Sequence, residues 1–74
     1  MNDYRILRFI TREQYSEGVE LYHLARTALS DKPYSEQSKY CRVIWACKEL
    51  HKKYPNISET AFYKDLSDNI LQQH

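Results

Sequence analysis

Pro55 constrains this chain more than any other residue. It stands between two stretches of helical periodicity, and a proline pushes the residue before it out of helical geometry, so the first stretch must stop by Tyr54. Ser58, three positions on, is the kind of residue that caps a following helix. The stretch Ser35–Asp68 therefore reads as helix, tight corner, helix. On a wheel of about 100° per residue, Tyr40, Val43, Ile44, Cys47, Leu50 and Tyr54 gather on one side of the first of these helices, with His51 on the same flank. That side is expected to be core. Trp45 points roughly opposite the centre of the stripe, among Cys41, Lys48, Glu49 and Lys52 and close to Arg42, which marks it as a contact residue.

The rest of the chain carries similar punctuation. Thr11 to Gln14 has the Thr-x-x-Gln form of a capping box, with Ile10 and Tyr15 placed as a hydrophobic staple, so a helix should begin there and run to Leu29. Tyr15, Val19, Tyr22, Ala25 and Leu29 line one side of it, with Leu21, Leu24 and Ala28 beside them. Gly18, the single glycine, falls inside this helix at a cost of up to about 1 kcal/mol, which a close helix crossing would explain. Ser30 to Ser35 forms a loop around Pro33, with Ser35 as the expected cap of a helix starting near Glu36. The last helix follows Ser58; Ile57 and Phe62 occupy its staple positions, and Phe62, Tyr63, Leu66 and Ile70 form its buried side. Asp3 to Ile10 has apolar spacing that suits a helical turn, which would align Arg5, Arg8 and Arg12.

These readings predict an all-α fold for residues 1–74, a single helical domain with a small bundle of three main helices and room for a fourth, short N-terminal one. A chain of 74 residues buries only about 60% of the surface its unfolded form exposes, and its stability should fall at roughly 4 to 11 kcal/mol. A homodimer is one way to cover the remaining apolar surface. The net charge of +1 excludes both a polyanion mimic and a strongly basic nucleic-acid coat, but its distribution is uneven. Residues 1–12 carry +2 and residues 35–54 carry +3, whereas residues 13–30 and 55–74 carry −2 each.

Cys41 and Cys47 lie about 9 Å apart along one helix axis, too far to bridge. With no signal peptide, no membrane-spanning run and no second thiol pair, the cytoplasm is the expected compartment and no membrane association is expected. Cys47 and His51 could approach one metal ion, but His23, His74 and Cys41 lack the spacing to complete its shell, so neither a metal site nor another cofactor is expected. No catalytic nucleophile or phosphate-loop pattern occurs, and the chain is expected to bind rather than catalyse.

The segment Ile57 to Leu66, ISETAFYKDL, resembles the second helix of helix-turn-helix transcription regulators, and the resemblance spans roughly Ala46 to Leu71. It implies a helix-turn-helix-like C-terminal half in which the N-terminal end of the last helix enters the DNA major groove. By position it implies Ser58, Thr60, Tyr63 and Lys64 as contacts. The acidity of residues 55–74 works against this, because phosphate neutralisation supplies most of the affinity of such proteins. Arg42, Trp45, Lys48 and Lys52 form a second candidate patch, suited to nucleic acid or to an acidic protein partner. The expected function is thus a small DNA-binding regulator, with a protein-interaction adaptor or inhibitor acting through the Trp45 patch as the alternative.

Overall fold

The computed structural model describes residues 7–71, and its regular structure is helical: α1 (Arg12–Ala28), α2 (Lys39–Lys53) and α3 (Glu59–Ile70), with a 3-10 turn at Tyr34–Glu36. The protein is a three-helix all-α bundle. α2 is the middle helix, packed against both α1 and α3. Ile10, Val43, Cys47, Leu50, Phe62 and Leu66 form the buried core, joined by Ala25 and Ala46.

Each helix starts where a hydroxyl satisfies an otherwise orphaned amide. The Thr11 hydroxyl accepts from the Gln14 amide at 3.1 Å, and the Gln14 side-chain oxygen accepts from the Thr11 amide at 3.0 Å, completing the capping box. Ser58 accepts from the Ala61 amide at 3.1 Å. The start of α2 differs from expectation. Pro33 and Tyr34 carbonyls accept from the Glu36 and Gln37 amides, giving a separate 3-10 turn, and the chain leaves helical geometry at Gln37 (φ −112°). The cap of α2 is therefore Ser38, not Ser35; its hydroxyl accepts from the Cys41 amide at 3.3 Å. At the other end Tyr54 is non-helical (φ −124°, ψ 73°), as Pro55 requires. The His51 Nδ1–H donates to the Ile57 carbonyl at 2.7 Å and closes the corner.

The N-terminal segment is not helical where it is described. Residues 7–11 form bends and extended backbone, and the Asp3 to Ile6 part of the expected helix lies outside the described residues. The physical reason is Asp65. Its side chain, in a residue only 2% exposed, accepts from three consecutive amides: Arg8 at 3.1 and 3.2 Å, Phe9 at 2.7 Å and Ile10 at 3.0 Å. Those N–H groups are thus spent on a carboxylate of α3 rather than on carbonyls one helical turn back. Arg8 consequently sits in a bend and Arg12 opens α1, so these two do not share a helix face; Arg5 lies outside the described residues.

Gly18 marks a close helix crossing. A Cβ there would stand 2.8 Å from Leu66 Cδ2 and 3.1 Å from Leu50 Cδ1, and both leucines are fully buried. The glycine allows α1 to approach α2 and α3 together; its backbone φ is not positive. Beside it, the Glu17 carboxylate accepts from Lys53 Nζ at 2.7 Å and from the Tyr54 hydroxyl at 2.6 Å, tying α1 to the end of α2. These two bonds, that from Lys53 foremost, hold the Glu17 carboxyl below the usual carboxylate range.

Two expectations follow. Asp65→Ala orphans three amides and should cost about 2 to 4 kcal/mol, with amide hydrogen exchange accelerating first at residues 8–10; an unchanged denaturation midpoint would contradict the role assigned to Asp65. Because the folded-state pKa of Glu17 is depressed, its contribution is present above the ordinary carboxylate pKa and fades as pH falls through the depressed value. Glu17→Gln should therefore lower the urea midpoint at about pH 7, and the difference from the parent should shrink as pH falls below the ordinary carboxylate range.

Candidate functional site

α3 is anchored by Phe62, Asp65, Leu66 and Asn69, all buried, which turns Thr60 and Lys64 outward with Tyr63 half-buried on the flank nearest α2. The acidity of this segment is largely absorbed by the fold. Asp65 is buried beneath amides, Asp68 lies 3.9 Å from Arg8, and Glu59 lies 3.9 Å from Lys48. On the side away from Tyr63 the Asp65-held corner brings up Phe9, which is 46% exposed. Lys64 Nζ stands 5.5 Å and Arg8 Cζ 5.8 Å from the centroid of its ring. One continuous face thus runs from Tyr63 across Thr60 and Lys64 to Phe9 and Arg8. Ser58 lies at its N-terminal end with its hydroxyl engaged as the cap.

The second candidate patch is centred differently from the sequence expectation. The buried line of α2 is Val43, Ala46, Cys47 and Leu50, whereas Tyr40 and Ile44, both expected in the core stripe, are 61% and 42% exposed. Counting the small apolar Ala46, one turn from Val43 and from Leu50, rotates the stripe away from them. Ile44 borders two open hollows. One, of about 300 Å³, is lined by Ile44, Cys47, Glu59, Thr60 and Tyr63. The other, of about 240 Å³, includes Leu29, Glu36, Cys41, Trp45 and Lys48. Trp45 is half-buried, with Leu29 and Glu36 of the α1–α2 connection lining the same hollow.

Of the four α2 candidates, Trp45 and Lys48 come together in this hollow. Lys52 lies one turn beyond Lys48, exposed and 3.1 Å from Glu49. Arg42 does not line either hollow, and its buried Nε has no hydrogen-bond partner among the described residues. The residues that sequence reasoning missed are Phe9, whose place on the α3 face depends on a contact 56 positions away, and Ile44, hidden in a stripe drawn without Ala46.

The Cys47 thiol is pushed up to about 12 by burial and, secondarily, by Glu59, so it stays protonated at neutral pH. Among the described residues no three His, Cys, Asp or Glu side chains converge on a metal position, and no helix is long and apolar enough to cross a membrane. No family model, curated protein or solved structure matches the chain.

The half-buried position of Trp45 sets its energetic weight. Trp45→Ala should cost about 1 to 2 kcal/mol in dilute solution, while Phe62→Ala, which empties the centre of the core, should cost about 3 to 5 kcal/mol. Chemical denaturation of the two variants checks the ranking, and equal losses would return Trp45 to the core.

Proposed function

We propose that this chain is a small, non-enzymatic regulator that binds duplex DNA through the outward face of α3. The observation that carries this reading is Phe9, an exposed ring bracketed by Arg8 and Lys64 at the edge of the row that contains Thr60 and Tyr63. Cations on such a face contact phosphates, while Thr, Tyr and an exposed aromatic ring offer hydrogen bonds and apolar contact to base edges. The acidity of α3, which opposes DNA binding when read along the chain, is offset in space by Arg8, Lys48 and the amides around Asp65. A second reading, a protein-interaction adaptor, is favoured by the exposure of Ile44 between two hollows on α2.

Titration of labelled duplex DNA by fluorescence anisotropy tests the first reading. Two phosphate-contacting cations give a salt slope of about −2 per bound chain, and Lys64→Ala should reduce it by about 1. Thr60→Ala and Tyr63→Ala should weaken binding to a preferred site more than to random sequence. A folded protein that binds no duplex at low salt would remove the DNA reading and leave the adaptor reading.

A further inference from the structure

We infer that Phe9 acts as a wedge: when the α3 face docks on a duplex, the ring enters the base stack and kinks the DNA, so that preferred sites contain a pyrimidine–purine step. The inference rests on the DNA reading of that face and adds how the face holds on and which sequences it selects. The face carries few cations. Arg8 and Lys64 flank the ring, and Arg8 also lies 3.9 Å from Asp68. Two phosphate contacts release about two counterions, against about six to ten for a strongly salt-driven binder, so most of the affinity must have another source. An aromatic ring stacked on a base contributes about five- to 150-fold in affinity. On this face Phe9 is exposed, whereas Tyr63 is half-buried.

The backbone beneath the ring is firm. Separating stacked bases costs free energy, and a ring on a yielding loop would fold back on its own surface instead of entering the stack. Residue 9 is held against that recoil. Its amide donates to the buried Asp65 carboxylate at 2.7 Å, the amides on either side donate to the same carboxylate at 3.0 to 3.2 Å, and Ile10 is in the core. Arg8 Cζ and Lys64 Nζ stand 5.8 and 5.5 Å from the ring centroid. Cation–ring contacts are weak at exposed sites, so strand phosphates draw both groups aside and uncover the ring at the opened step. The TA and CA/TG steps unstack at the least cost, whereas A-tracts are stiff. The sequence preference thus comes from deformation of the DNA rather than from base edges.

Duplexes of about 20 to 30 base pairs, labelled at both ends for energy transfer and identical except for a central TA step or a central A-tract, test the wedge with the full chain. At saturation the TA duplex should show the higher transfer efficiency, corresponding to a bend of about 20 to 90°, and 2-aminopurine beside the step should brighten as it loses its stacked neighbour. The TA duplex should also bind about fivefold or more tightly than the A-tract one. Phe9→Ala leaves the amides that Asp65 holds in place, so the variant should keep its helical circular dichroism while losing both the bend and the step preference. Phe9→Trp should retain both. Binding without a bend, or a bend and step preference that survive Phe9→Ala, would overturn the wedge and leave the DNA reading standing. Binding to neither duplex would remove the DNA reading and the wedge together.

Discussion

The shape of the molecule depends on one carboxylate in α3. Asp65 lies beneath the surface, and the groups that satisfy it are three amides from a stretch that forms no helix of its own. Burying a carboxylate is costly unless its oxygens are met by donors, and three successive N–H groups meet that requirement. The exchange is mutual, because those amides would otherwise lack partners at a bend. Once the bend is held, Ile10 enters the core, Thr11 is positioned to cap α1, and the alternate residue Phe9 is left outside. Asn69, a turn further along α3, donates to the Asp65 carbonyl at 2.7 Å and reinforces the same region.

α2 distributes what the remaining helices can do. Its buried line serves α1 and α3, and Gly18 lets α1 come close enough for Leu50 and Leu66 to share one space. The bond from His51 to Ile57 fixes the angle at which α3 leaves the corner, and Lys48 and Glu59 face one another just after it. Two outward regions result: a polar and aromatic one on α3 with the N-terminal bend, and a more apolar one on α2. They meet at Thr60 and Tyr63, which both line the hollow beside Ile44. A partner on one region would thus be felt at the edge of the other through these two side chains.

Local signals in the sequence were sufficient for the three-helix frame. Thr11, Ser58 and Pro55 act within four residues of themselves, so their effects are legible without knowledge of the fold. Ser35 failed as a cap because Ser38 offers the same chemistry, and only the 3-10 turn after Pro33 decides between them. The stripe on α2 was drawn toward Tyr40 and Ile44 because large apolar residues dominate a helical wheel, while Ala46 at the true centre is small. Asp65 was illegible for a deeper reason. It read as one more surface acid of an acidic helix, and its partners are backbone amides 55 to 57 positions away, which no side-chain pattern reports. The candidate face on α3 was accordingly half legible: Thr60, Tyr63 and Lys64 follow from helical position, whereas Phe9 reaches it only through Asp65.

Because Asp65 grips backbone rather than side chains, the grip is blind to the identities of residues 8 and 9. Any amino acid with an amide hydrogen can occupy them, and only proline breaks the hold. The chain therefore carries two outward positions, fixed in space by a distant anchor, whose chemistry can drift without disturbing the bundle. Such a pair is a natural place for the surface chemistry of this bundle to vary, in the way that loops vary on rigid frameworks.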